Sequence, residues 1–202
     1  MNEIMKYDIT LRVFGKLLSG LVRPEIPDRQ QRKEILQEYR TIMSRAEDIG
    51  SNNMLIGSYA LAGFFIAMNR KDNLSAQRNY EILDRGMRGS KLLKLFFGDE
   101  KTYFSEKKMQ TRRAWSAKTH EHQYKNDWVV DVLEQTDDFV FGLDYTACGV
   151  CALCRDEGCF ELAHYLCKLD FMLVEIIGVR LDRTTTLADG GDKCDFRFKH
   201  GA

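Results

Sequence analysis

The sequence predicts an α+β protein: a helical N-terminal half packed with a C-terminal β-β-α-β-β unit whose strands form an antiparallel sheet. Three observations lead there. Through the first 120 residues apolar side chains recur every three or four positions, the period of a helix with one buried face. Near Asn126 the period drops to two, and β-branched and aromatic residues become dense, as in strands. Between two such strand pairs the helical period returns, closed by Gly178. At 202 residues the chain can bury a substantial core unaided. It reads as one compact domain with a helical region at 1–125 and an α+β region at 126–202.

The helices follow from their stripes and stops. Ile35, Leu36, Tyr39, Ile42, Met43 and Ala46 form one stripe, starting after Pro27 and Asp28 and ending by Gly50. Ser51 or Asn52 is suited to cap the next helix. There Gly57, Ala60, Gly63 and Ala67 make a small-residue face for close packing, within the monomer or across a homodimer. Helices are also expected over 75–88 and 101–118, the second so charged that most of its sides should be solvated. Strands over 128–134 and 139–147 form a hairpin, with Phe139, Phe141, Leu143, Tyr145 and Ala147 on one face. A helix over 157–177 follows, then strands over 179–188 and 193–199 joined by the glycine turn at Gly190 and Gly191. Pairing Leu187 with Cys194 across that turn sets Thr185 against Phe196 and Arg183 against Phe198.

Composition limits the function. Thirty Lys and Arg balance thirty Asp and Glu, so no cationic excess favours a phosphate backbone, and nucleic acid is not an expected partner. The longest apolar stretch, 54–68, is broken by Gly57 and Ser58 and is shorter than the roughly 20 residues of a bilayer span, so no membrane partner is expected. The start of the chain lacks the basic, apolar and small-residue sequence of a secretory leader, which points to the cytoplasm. All six cysteines fall between Cys148 and Cys194, a clustering that in a reducing compartment suggests thiol or metal chemistry before disulfides.

Cys148, Cys151, Cys154 and Cys159 have the spacing C-x2-C-x2-C-x4-C. It approaches an iron-sulfur run but is one residue too long at the end, and Phe160 stands where proline is usual. Zinc, core thiols or a catalytic thiol fit it as well, so no metal ligand is assigned and the cofactor is left open. His120 and His122 lie in a polar connector and read as solvated. In the helix that follows, Ala163, Cys167, Asp170, Val174 and Ile177 share a stripe, which sets a carboxylate on an apolar face. Such an acid is paired or it works as a base. His164, one turn before Cys167, reads as solvent-facing. Arg183 repeats the anomaly with opposite sign among Val179, Leu181, Thr185 and Leu187. Its planar fork suits a substrate carboxylate, and a structural pair with Asp170 suits it equally. Cys194 shares the facing strand with Phe196 and Phe198, so arginine, threonine and thiol would border one pocket for a small molecule.

The segments 144–153 (DYTACGVCAL), 161–170 (ELAHYLCKLD) and 183–198 (RTTTLADGGDKCDFRF) resemble the bacterial L-2-amino-thiazoline-4-carboxylic acid hydrolase family. The likeness runs over 128–199. It is carried by Cys151, Leu166 and Cys167, Asp170, the Arg183-Thr184 opening, Gly190, and Cys194-Asp195-Phe196. Cys148, Cys154 and Cys159 are less regular in the family, and His164 stands where proline is familiar. The closing hairpin is also similar to vinyl-reductase-type small-molecule-binding domains, a likeness that bears on fold alone.

The family resemblance implies hydrolysis of a cyclic isothiourea carboxylate to a carbamoyl-cysteine. That reaction needs a cation for the carboxylate, a base or nucleophile, and an acid for the departing atom. Arg183 with Thr185 suits the first role and Asp170 the second, while Cys151, Cys167 and Cys194 are candidate nucleophiles or ligands. The alternative is a non-catalytic thiol- or metal-dependent binding or sensor domain.

Overall fold

Capping chemistry sets the helix starts in the computed structural model, which describes residues 3–50 and 53–201. The chain runs through α1 (Glu3–Leu21), α2 (Arg29–Arg45), α3 (Ile56–Lys71) and α4 (Ala76–Arg88). It continues through α5 (Lys91–Phe97), α6 (Glu100–Tyr103) and α7 (Glu106–Thr119). Then come β1 (Val129–Leu133), β2 (Phe141–Ala147), α8 (Gly149–Asp156), α9 (Ala163–Ile176), β3 (Val179–Asp182) and β4 (Cys194–His200). The α+β expectation holds. Asp28 accepts from Gln30 N at 2.8 Å, Ser75 from Arg78 N at 3.2 Å and Asp99 from Thr102 N at 2.8 Å, each satisfying a backbone donor of a first turn. The expected caps Ser51 and Asn52 lie outside the described residues. Asn53 instead accepts from Leu55 N at 2.9 Å, just before α3.

The Cα positions form two compact units that cut across the 125/126 division. The first holds the chain up to Gly89 with Tyr124–Asn126 and Gly149–Leu166. Its centre is α3, buried at nearly every position from Ile56 to Met68. The small-residue face is used inside this chain: Gly57 lies against the Phe14 ring of α1, and Gly63 leaves no room for a Cβ beside Met43 of α2. α8 also packs on α3. Glu157, just past α8, is held by Arg45 and by Arg70, the latter at 2.8 Å. Its carboxyl lies below the usual range because Arg45 hydrogen-bonds it, with Arg70 adding to the effect against burial.

Residues 149–156 were not expected to be helical. The predicted helix over 157–177 begins in fact at Ala163, because Gly158 at φ +68° breaks the chain between α8 and a 3-10 turn at Phe160–Leu162. Cys151 and Cys154, three apart on α8, both face the core.

The second unit comprises Ser90–Gln123, Asp127–Cys148 and Cys167–Ala202. Its sheet has the order β1-β2-β4-β3 and is antiparallel throughout. Directly opposed residues share a face, so Val130, Tyr145 and Cys194 form one row, Val132, Leu143 and Phe196 a second, and Phe141, Phe198 and Leu181 a third. The other face carries ion pairs, among them Asp144 with Lys193 at 2.5 Å and Arg197 at 2.7 Å. The outer edge of β1 is covered by α7: Ser116 Oγ donates to Val130 O at 2.7 Å, and Val130 N donates to Thr119 Oγ1 at 3.1 Å.

The closing hairpin departs from its expected register. β3 stops at Asp182, and Leu181, not Arg183, lies opposite Phe198. The shift is two residues, which keeps every side chain on its expected face. Strand pairing ends early because side chains compete for the backbone over 183–191. Asp195 Oδ1 accepts from Thr184 N at 2.9 Å and Thr185 N at 2.7 Å, while Thr186 Oγ1 accepts from Asp189 N at 3.0 Å. Gly190, at φ +86°, completes the turn, and Gly191 packs against the Thr185 hydroxyl.

Candidate active site

The part of α9 from Cys167 on belongs to the second unit and carries Cys167 and Asp170 one helical turn apart. Arg183 reaches them from the end of β3. Its Nη1 donates to Asp170 Oδ2 at 2.7 Å and its Nη2 to the carbonyl of Cys167 at 2.9 Å. The guanidinium also lies over the Phe171 ring at 4.8 Å and the Phe196 ring at 4.9 Å. Only 5% of the Arg183 side chain is exposed. Both terminal nitrogens and two ring contacts are thus committed to the protein, which is the pairing with Asp170 weighed from the sequence.

Asp170 is 35% accessible, yet burial dominates its titration and, against the opposing charge of Arg183, pushes its carboxyl up to about 6. A carboxylate that is both accessible and desolvated is recessed, not set on an open face. It is ionised at neutral pH and can take up a proton, the property required of a general base. The thiols around it are in the opposite condition. Burial, reinforced by the negative charge of Asp170, raises Cys167 far above the ordinary thiol range. Burial likewise raises Cys194 to about 11, although its sulfur accepts from Leu187 N at 3.2 Å. Both remain protonated at neutral pH.

The Cys194-Asp195-Phe196 run can now be read as three anchors for the preceding loop. Cys194 accepts from Leu187 N, Asp195 binds the amides of Thr184 and Thr185, and Phe196 supports Arg183. Thr185 is therefore fixed through its backbone, with its hydroxyl turned to Gly191.

Cys151 is apart from this group in sequence and in unit. It is 1% exposed in α8 of the first unit. In that unit a hydrogen bond from Cys154 lowers the Cys159 thiol against burial, with Arg70 adding to the effect. All six cysteines are thiols. Among the described residues no three His, Cys, Asp or Glu side chains are grouped as metal ligands. His120, on the connector, contacts Asp131 at 3.0 Å and is exposed, as is His122. No helix among the described residues is long and apolar enough to cross a membrane.

Three polar groups of the second unit carry no role in the sequence reading, although it places Tyr145 on the strand face. Arg112 is buried on α7, where the stripe Met109, Arg112, Ser116 and Thr119 faces inward while most other positions are solvated as expected. Its guanidinium lies 4.3 Å over the Tyr103 ring and 4.5 Å over Phe141. Burial pushes the Tyr103 hydroxyl up to about 12 against the pull of Arg112, and it raises the Tyr145 hydroxyl as well; the charge of Asp170 acts on both. The signal was present as spacing, since 109, 112, 116 and 119 recur at three and four. Lys107, Lys108 and Arg113 beside Arg112 hid it.

Comparison with curated proteins and with solved structures finds no match. The family model described as L-2-amino-thiazoline-4-carboxylic acid hydrolase matches residues 60–198, from within α3 to Phe198 in β4. That span is well over half of the 202 residues, and the chain belongs to the L-2-amino-thiazoline-4-carboxylic acid hydrolase family.

Proposed function

We propose that the protein hydrolyses a small cyclic amidine or thiazoline carboxylate of the 2-amino-thiazoline-4-carboxylate type to a carbamoyl-cysteine. Family membership supports the substrate class, and the observation that carries the chemistry is Asp170: accessible, recessed, poised near neutrality and oriented by Arg183. In this scheme Asp170 takes a proton from water as the water oxygen bonds to ring C2. The tetrahedral intermediate collapses with cleavage of a ring bond at C2, and the departing sulfur or nitrogen receives the proton from Asp170. Sulfur departure frees a thiol, and nitrogen departure frees an amine.

Protonation of Cys167 and Cys194 favours water over a resting thiolate as the attacking group. Cys167, beside Asp170, is the thiol that this base would activate if attack were covalent. The scheme does not call on Cys151, and it gives Arg183 the task of holding Asp170 instead of gripping substrate. Conversion of 2-amino-thiazoline-4-carboxylate by wild type and by Cys167→Ala tests it. Turnover that survives in the variant fits attack by water, and turnover that vanishes with the fold intact fits attack by sulfur.

A second reading, a thiol sensor without turnover, draws on the Cys154–Cys159 hydrogen bond and the lowered Cys159 thiol. Rapid modification of Cys159 by a thiol reagent, together with no conversion of the thiazoline, would favour it.

A further inference from the structure

We infer that Arg112 is the cation that receives the substrate carboxylate, an inference that rests on the hydrolase reading and supplies the anchor it lacks. Arg183, the obvious candidate by sequence, already has both terminal nitrogens bonded and two aromatic rings against its guanidinium. Arg112 is as deeply buried, at 7% exposure, but it has a different set of neighbours. Its Nη1 donates to the Tyr103 carbonyl at 2.8 Å and to the Met109 thioether at 3.4 Å. Among the described residues no carboxylate pairs with it, and its side-chain hydrogen-bond partner is the neutral Tyr103 hydroxyl.

A carbonyl, a neutral hydroxyl, a weak sulfur acceptor and two aromatic faces do not neutralise a buried charge, which is costly to hold without an anion. The imbalance shows in its titration. Burial lowers Arg112, whereas Arg45, Arg85, Arg113 and Arg180, each hydrogen-bonded to a carboxylate, are all raised. A guanidinium without a carboxylate partner can bind one through two parallel bonds.

A row of aromatic rings links Arg112 to the surroundings of Asp170. The Phe141 ring under Arg112 stacks on Phe198 at 4.5 Å, and Phe198 lies 6.0 Å from Phe196, the ring under Arg183 and hence beside Asp170. Tyr103 covers the same floor, 5.8 Å from Phe141 and 5.6 Å from Phe198, and its hydroxyl is within electrostatic reach of both Arg112 and Asp170. Phe141 and Phe198 are buried beneath the half-buried Tyr103 and Phe196, and a flat five-membered ring with its carboxylate at Arg112 would lie along these last two rings with its C2 side toward the base.

Two assays on the intact chain test the inference. In the first, wild type and Arg112→Met are compared on 2-amino-thiazoline-4-carboxylate and on its carboxamide. Wild type should prefer the carboxylate by about 100-fold in kcat/KM, the worth of a desolvated bidentate charge pair, and Arg112→Met should abolish that preference through KM. Preference unchanged in the variant overturns the inference.

The second assay is equilibrium dialysis with thiazolidine-4-carboxylate, which has no amidine to hydrolyse. Binding by wild type and its loss in Arg112→Met upholds the inference even if no turnover is found, in which case the hydrolase reading alone fails. If Arg112→Met does not fold, Arg112→Lys keeps the charge and loses the fork. A KM or dialysis constant weakened about tenfold supports the anchor, and an unchanged one overturns it.

Discussion

Arg183 joins Asp170 at 2.7 Å and, through its other terminal nitrogen, the carbonyl of Cys167 one turn earlier on the same helix. A single guanidinium thereby fixes both the carboxylate and the backbone that carries it. Because the Arg183 side chain is almost fully enclosed, removing either partner strands the other. Arg183→Met should lower stability by about 2–4 kcal/mol, less than for a fully sealed pair since Asp170 keeps some contact with water. Without its cation Asp170 should also titrate still higher. Urea denaturation checks the first effect and the acid limb of the rate profile checks the second.

The pH dependence has a fixed sign. The folded carboxyl of Asp170 stands near 6, above its ordinary value of 3.8, so the fold favours the protonated form. Its contribution to stability is full below about pH 4 and is lost as pH rises through about 6. Activity runs the other way, since the base must be ionised: kcat/KM should fall below about pH 6 with a slope of one proton. Asp170→Asn should remove both dependences, as measured by unfolding at pH 5 and pH 7 and by the rate profile.

Asp195 ties the loop of Arg183 to the sheet. Burial raises its carboxyl, but the Thr184 hydroxyl and the amides of Thr185 and Thr184 outweigh it and hold it below the usual range. Asp195→Ala leaves two amides and a hydroxyl unpaired and should cost about 1.5–3 kcal/mol. Activity should fall further than stability explains, because Arg183 loses its fixed approach to Asp170. Hydrogen exchange over 183–187 should accelerate in the variant.

A different buried acid lies in the first unit. Asn79 Nδ2 donates to Asp72 Oδ1 at 3.0 Å, while Asp72 Oδ2 and Asn79 Oδ1 are both buried acceptors without a partner. One proton on Asp72 satisfies both, closing a two-bond ring between acid and amide, and burial raises the Asp72 carboxyl in that direction against the opposing bond from Asn79. Asp72→Asn supplies the same donor permanently and should leave stability unchanged or raised at pH 7. Carbon NMR of the Asp72 carboxyl should report a protonated group above the ordinary aspartate range.

How far the sequence could be read follows from these residues. Asp28, Ser75 and Gly178 were legible because caps and left-handed positions restrict residue type strongly. Asp170 and Arg183 were legible as charges on apolar stripes, and they do meet. The hairpin register was not, because alternation fixes a face but tolerates a shift of two, and only the Asp195 clamp decides where β3 ends. α8 was missed because cysteines and glycine give little helical signal over eight residues. Arg112 was missed because its place in the spacing 109, 112, 116, 119 is masked by the charged residues Lys107, Lys108 and Arg113 beside it.

The central claim is that Asp170 serves as the base in opening a thiazoline carboxylate. Purified protein incubated with 2-amino-thiazoline-4-carboxylate, with the product weighed by mass spectrometry and its free thiol titrated, tests this directly. Wild type should yield a product heavier by one water, and Asp170→Asn, still folded, should lose about a thousandfold or more in rate. Substrate left intact by wild type, or consumed as fast by Asp170→Asn, would contradict it.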